Sequence, residues 1–459
     1  MSLGRRGQQR QDLWIATPDL PKSAGHAFYD ALNSLLSEAG FDQFVEDLCR
    51  PFYAKGGRPS IPPSVYFRML LIGYFEGIGS QRGIAWRCGD SLSLRAFLGI
   101  PLSDQTPDHS SLTRVRDRLP LEVHQSVFQF VLQVAEAQGL LKGKTVGVDS
   151  TTLEANAAMK SIVRQDTGED WEAYVRGLME AEGISDPTVE EMRRFDRKRK
   201  GKKVSNEDWK SPADPDARIT RMKDGRTHLA YKAENAVDLD TGLVIGASIR
   251  HATDADSATL TDTVVEAQTN LNEADLEAKI EEVVGDKGYH STDQLELADS
   301  LGLRTYVPEP AHPKKRNLKK LSKKKREALL KNRKRMKRKK GKKLQCTRSE
   351  LVERSFAHIC DSGGARRTYL RGLEKVQKRY LITAATMNLG LIMRTLFGFG
   401  TPRRFAALCA VFTFLQTAWL AIWRWGTLQA RDSRPCIRLA ARWQCLPRAA
   451  RISTFSTRC

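Results

Sequence analysis

Two short segments of the chain end in the same way: an apolar run, an aspartate, and then small residues that turn the backbone. In Lys144-Thr-Val-Gly-Val-Asp149-Ser-Thr-Thr, residues Thr145, Val146 and Val148 suit a buried β-strand that ends on Asp149. In Glu281-Glu-Val-Val-Gly-Asp286-Lys-Gly-Tyr-His, a second apolar strand ends on Asp286. A carboxylate at the end of a buried strand is costly unless it is paired or meets a cation. Taken singly, such an Asp serves equally well to open a turn or cap a helix. The repeat of the arrangement favours the ligand reading. A third acid, Glu353, follows Val352 in a stripe that continues with Phe356 and Ile359, so it lies at the edge of a helix's apolar face. From there it can look back towards the strand ends. Thr347-Arg-Ser-Glu350 has the form of a capping box, which predicts a helix start at that point and makes Glu350 a cap residue. Glu374 is matched with Lys378, four residues on.

Acids from three separate elements can surround hard cations. Mg²⁺ takes carboxylate and phosphate oxygens. Two such ions about 4 Å apart activate water on one side of a phosphodiester and stabilise the leaving oxygen on the other. Rival chemistries lack their motifs: the chain has no phosphate-binding P-loop, no G-x-S-x-G and no H-E-x-x-H. His228, His251, His290 and His358 are scattered and read as structural, although His290 lies close to Asp286.

The elements that must position these acids follow from the pattern. Residues 1–140 read as helical, with the turn cluster Arg58-Pro-Ser-Ile-Pro-Pro63 opening one helix, Ser80 capping the next, and Thr106 to Arg118 forming a capped helix that makes Arg114, Arg116 and Arg118 available. The strand at Asp149 is followed by a polar, largely helical insertion over about 156–225, with a weak stripe of Trp171, Tyr174, Leu178 and Met179 and a basic loop at 198–203. A hairpin turning at Asp240-Thr-Gly242 comes next, then a helix from Asp256, the strand to Asp286, a helix from Ser291 to Ser300, and a strand at Leu303–Val307. The order predicts an α/β fold, a mixed sheet with helices on its faces. A long helix over roughly 374–396 follows, and the tail from about residue 430 is Arg-rich with little pattern.

The formal charge of +21 favours a polyanionic partner, nucleic acid first. Residues 314–343 hold 19 Lys and Arg against one Glu, most of that excess. Such a block repels itself and is expected to be disordered or loosely helical when free, serving as an arm for the DNA backbone or as a solubilising tract. The scattered cysteines, without a C-x-x-C pair, indicate neither a zinc site nor a disulfide framework and fit a reducing compartment. Phe405 to Trp423 is long and apolar enough to span a membrane, but a buried or oligomer-facing helix suits the polar remainder of the chain better.

Taken together, VGVDST at Asp149, GDKGYHS at Asp286 and LVERSFAHICDSGGARRTYLRGLEKV around Glu353 resemble the DDE transposases of bacterial insertion sequences. RPSIPPSVYFRMLLIGYFEG, DSLSLRAFLG and TPDHSSLTRVRDRL look like that group's N-terminal helical domain, and DPDARITRMKDG and HATDADSATL like its mid-region. The resemblance implies a ribonuclease-H-like catalytic domain over 141–395, with insertions at about 156–225 and 311–343. A helical DNA-binding or oligomerisation domain over 1–140 precedes it, and an apolar helix with an Arg-rich tail follows over 396–459. It implies Asp149, Asp286 and Glu353 as catalytic and metal-binding residues, with Mg²⁺ or Mn²⁺, two ions in all. It further implies cleavage of double-stranded DNA at terminal inverted repeats and strand transfer into target DNA, by a homo-oligomer in the bacterial cytoplasm at the nucleoid. Candidate DNA contacts are Lys287, Arg348, Arg354, Arg366, Arg367, Arg114, Arg116, Lys337 and Arg338. The chain departs from many relatives where they carry a Tyr, an Arg and a Lys around the glutamate: Cys346, Ser349 and Cys360 stand there, with Arg348 one residue out of place and Arg354 adjacent to Glu353. An inactive or domesticated DNA-binding relative is the alternative, and a basic nucleic-acid-binding protein with structural acids a third.

Overall fold

The computed structural model describes residues 26–406 apart from 58–59, 200–204, 223–224, 312–317 and 319–320, and beyond them only 416–417 and 419–420. Among the described residues seven α-helices come first: α1 (Ala27–Glu38), α2 (Phe41–Cys49), α3 (Pro63–Phe75), α4 (Gln81–Asp90), α5 (Leu92–Phe97), α6 (His109–Arg118) and α7 (Leu121–Ala137). Pro63 sits at the first position of α3, where its missing N–H is no loss. Ser80, Ser91 and Asp108 accept from backbone amides at the starts of α4, α5 and α6. α3 is buried on nearly every side. Its Arg68, 3% exposed, is satisfied by both carboxylate oxygens of Asp42, by Asn33 and by the Phe97 carbonyl. A buried guanidinium is tolerated because its donors are matched.

β1 (Thr145–Glu154) begins the second part of the chain. It does not stop at Asp149, as the sequence pattern predicts, but runs on through the hydroxyl residues, because Ser150 to Glu154 continue to pair with a long neighbouring strand. The insertion contains β2 (Val163–Arg164), α8 (Trp171–Ala181), α9 (Val189–Lys198) and β3 (Trp209–Lys210). Val175, Met179 and Met192 form its own small core, and most of the basic loop at 198–203 lies outside the described residues. There follow β4 (Arg218–Arg221), β5 (Thr227–Asp238), β6 (Val244–His251), α10 (Asp256–Glu273), β7 (Glu282–Val284), α11 (Thr292–Ser300), β8 (Arg304–Tyr306), α12 (Lys323–Lys337), α13 (Lys339–Phe356) and α14 (Leu373–Phe397).

The sheet runs β4-β5-β1-β7-β8, with β6 also on β5. β5 is antiparallel to β1, β4 and β6, whereas β1, β7 and β8 are parallel. This is the expected mixed sheet of a ribonuclease-H-like fold. The outer strands are finished by side-chain amides from helices. Asn388 of α14 accepts from Val244 N–H and donates to its carbonyl, and Gln377 does the same for Ile249 N–H and the Ala247 carbonyl. On the far side Asn332 of α12 pairs with both backbone groups of Val307.

From residue 321 on, the basic block departs from the predicted loose arm. It is ordered as α12 and the start of α13, because Ala328, Leu329 and Asn332 give α12 a buried face. The rest of the protein supplies counter-charges: Lys331 reaches Asp299, Arg333 reaches Glu309 and Lys325 reaches Asp293. α13 correspondingly begins at Lys339 and not at the predicted capping box; Thr347 instead donates to the Lys343 carbonyl within the helix. The helix beyond Phe356 widens into a π-helical turn over Ala357–Ser362.

α14 occupies nearly the predicted span. It packs on α7, α3 and β6, and 67% of its most apolar 18-residue stretch is buried, as in a core helix. Most of the apolar stretch 405–423 and the Arg-rich tail lie outside the described residues.

Replacing Asn332 by Ala leaves the Val307 N–H and carbonyl unpaired. The expected loss is about 1–3 kcal/mol of stability, read by urea denaturation; a block that is only loosely attached would show no change.

Candidate active site

Strand register brings the two aspartates together. Thr145, Val146 and Gly147 of β1 face Glu282, Val283 and Val284 of β7 in parallel pairing. Two further residues along each chain lead to Asp149 and Asp286. Neighbouring strands lie about 4.8 Å apart, so the two acids stand side by side at the carboxyl ends of the parallel pair, where open α/β sheets bind their ligands.

Asp149 shares a face of β1 with Gly147, since side chains alternate along a strand. A Cβ on Gly147 would stand 3.0 Å from Arg348 Cγ and 3.0 Å from Val352 Cγ2. The nearest atom would be Leu239 Cδ2 at 2.7 Å, so the glycine eases the close approach of α13, which places Arg348 on Asp149. Arg348 Nη1 donates to Asp149 Oδ2 over 2.7 Å, and the Ser150 amide donates to Oδ1 over 2.8 Å. Burial lifts the Asp149 carboxyl above its ordinary range. The Arg348 guanidinium pulls it the other way, and the Asp286 charge adds to the rise. Asp286 is fixed by the turn that follows it, its Oδ1 accepting from Gly288 N over 2.7 Å and from Tyr289 N over 3.3 Å.

Glu353 lies on the same helix as Arg348 but on its exposed side, where Ser349 Oγ donates to Oε1 over 2.8 Å. Among the described residues no group of three or more His, Cys, Asp or Glu is gathered closely enough to hold a metal ion. The oxygen donors of Asp149 and Asp286 fit a hard divalent cation. In this state, however, the positive partner of Asp149 is Arg348, and Glu353 is engaged by Ser349.

The arginines differ from their expected exposure in two cases. Arg348 is 8% exposed and Arg116 is 6% exposed, so neither projects from its helix. Both are drawn inward by helix packing, Arg348 against β1 and Arg116 within the junction of α6 and α14. Lys287, Arg114, Lys337 and Arg338 are exposed. Arg354 is exposed and pairs with Glu350; Arg366 pairs with Asp361, and Arg367 lies 3.7 Å from Glu154.

Sequence reasoning passed over a second layer beneath the acids. Ser150 Oγ donates to Asp256 Oδ1 over 2.9 Å, and Lys232 Nζ lies 2.8 Å from the same oxygen and 2.7 Å from Glu234. A Cβ on Gly288 would stand 3.0 Å from Asp286 Oδ1 and 3.2 Å from Asp256 Oδ2, so the two carboxylates flank one glycine. Glu234 is fully buried. Burial opposes its charge, yet hydrogen bonds from Lys232, Thr259 and Thr263 hold its carboxyl below the ordinary range. Asp256 opens α10, where an acid is an ordinary residue, so only the fold reveals its neighbours.

A raised Asp149 pKa means that the folded state binds more protons than the unfolded one, so this group lowers stability as pH rises past the unfolded value, about 3.9. Arg348→Met removes the opposing charge. Its stability, measured by urea denaturation between pH 4 and pH 7, is expected to fall more steeply with pH than that of the parent; a parallel profile would show that Arg348 does not hold Asp149.

Comparison with protein families matches residues 20–118 to a transposase domain, the DUF772 family, and residues 193–389 to the transposase DDE domain. Comparison with curated proteins and with solved structures finds no match.

Proposed function

As a member of the DDE transposases, which act on DNA, this chain, we propose, cuts DNA at the ends of an insertion sequence and transfers the freed strand to a target. The observation that carries this reading is the register that sets Asp149 beside Asp286, under a helix that also bears Glu353. Asp149, Asp286 and Glu353 would hold Mg²⁺ or Mn²⁺. Such ions, when bound, activate the attacking oxygen and stabilise the leaving one.

The chain's own residues prepare the site. Arg348 keeps Asp149 charged and aimed along α13. The amides of Gly288 and Tyr289 fix the rotamer of Asp286. Lys232 and Arg250 offset the charges of buried Glu234 and of Asp256 beside the site, so that the negative charge facing the substrate stays with the outer pair. Exposed Lys287, Arg114, Arg354, Lys337, Arg338, Arg366 and Arg367 offer cationic contacts to phosphates. Double-stranded DNA with inverted repeats is the proposed partner, bound by a homo-oligomer that pairs two ends.

A DNA-binding relative without catalysis is the second reading. It is favoured by the placement of Arg348 on Asp149 and of Ser349 on Glu353. One assay separates the two. With Mg²⁺ and DNA carrying the inverted repeats of the element, the parent chain is expected to nick at the repeat ends. Asp149→Ala, Asp286→Ala and Glu353→Ala should each lower the rate on the order of 10³-fold or more, a loss of several kcal/mol of transition-state stabilisation. Binding without nicking by the parent would sink the enzymatic reading. DNA affinity should also fall linearly in log–log form with salt, since phosphate contacts release counterions; a flat profile would remove the basic face from the account.

A further inference from the structure

A second site lies where the N-terminal helices meet the catalytic domain. Between α3, α6, α14 and the loop at 363–371 is a cavity of about 50 Å³. Since 10–15 Å³ already holds a water molecule, a tetrahedral oxyanion has room. Most of the wall is apolar, with Leu70, Leu153 and Val376 among its residues, yet three arginines line it: Arg116, Arg379 and Arg367.

These charges are poorly compensated. Arg116 is 6% exposed, and its Nε and Nη1 are buried without a hydrogen-bond partner. Asp117 comes no closer than 3.5 Å to Nε and is shared with Lys375 at 3.1 Å. Arg379 donates to the Ile78 carbonyl over 3.3 Å. Burial pulls its guanidinium down to about 10, and the Arg116 charge adds to the fall. Two arginines that repel one another inside an apolar wall are costly unless an anion joins them. Gln81 and Thr368 add polar groups on the same wall. Arg68, also buried, shows the contrast: its donors are matched within the protein.

We propose that this pocket is a phosphate site, closed by Arg116 and Arg379 and reached past Arg367. Its source is the DNA strand that lies on the acids. Leu153 on the cavity wall is four residues from Asp149 along β1, a distance of about 13 Å at strand rise, so one strand can engage both places. Only the assignment of the source rests on the DNA-cleaving reading; the demand for an oxyanion does not.

The test is thermal unfolding of the full chain without metal, in inorganic phosphate against chloride at matched ionic strength. The parent is expected to gain at least about 2 °C, about 2 kcal/mol for a chain of this size. Arg116→Met and Arg379→Met are expected to lose the gain and to start from an equal or higher melting temperature in chloride, because an uncompensated charge is gone. A phosphate gain that survives both substitutions overturns the proposal, as does a parent with no gain. Failure of both variants to fold overturns it too, since charges needed for folding are not uncompensated. Binding of a 5′-phosphorylated oligonucleotide and its 5′-hydroxyl twin then identifies the source. A loss in Arg116→Met confined to the phosphorylated strand marks a strand end, and an equal loss for both marks a backbone phosphate. No loss for either, with the inorganic anion still bound, overturns the DNA assignment. A parent that binds phosphate but never nicks DNA sinks the enzymatic reading alone; one that nicks without an Arg116-dependent phosphate response sinks the pocket alone.

Discussion

Burial of a carboxylate at a strand is costly, and the sheet half of the protein is arranged around that cost: it lifts Asp149 above its ordinary range, and the Asp286 charge adds to the rise. Asp149 and Asp286 each follow the pairing of β1 with β7 by two residues. Relief comes from Arg348 on α13, which donates to Asp149, while Lys232 offsets the neighbouring Asp256 and Glu234. The low dielectric of a partly buried rim strengthens both the repulsion and its relief. A pair of acids in this condition has a standing affinity for cations, whether these arrive as a guanidinium or as a metal ion. That preference connects the resting arrangement with the phosphodiester chemistry proposed for it.

Gly147 and Gly288 serve the same arrangement by what they lack. A side chain at Gly147 would push α13 away from β1, and one at Gly288 would press on Asp286 and Asp256. The helices behind the sheet act on a larger scale. α14 ties β6 to α7 and α3, so the N-terminal helices are fastened to the sheet through one buried element.

Much of this architecture was legible in the sequence because it rests on local patterns. The apolar strand leading to Asp286, the Asp240-Thr-Gly242 turn and the span of α14 match the observed elements closely. What was not legible depended on partners far away in the chain. The basic block gave no hint of Asp293, Asp299 and Glu309, whose charges let α12 fold. The burial of Arg348 and Arg116 follows from helix packing and not from helix periodicity. Asp256 was hidden by being an unremarkable first residue of α10, and Glu353 was legible as an acid at a helix edge but not as a partner of Ser349.

The amides that finish the sheet have a consequence for the life of the polypeptide in a crowded cell. An open strand edge is a template on which another extended chain can crystallise into aggregate. Here Asn388 and Gln377 on one border, and Asn332 on the other, mimic the backbone of a strand that is not there. At those points the sheet offers no free groove for β-augmentation. A nascent chain is shielded there from amyloid-like stacking once α12 and α14 have docked.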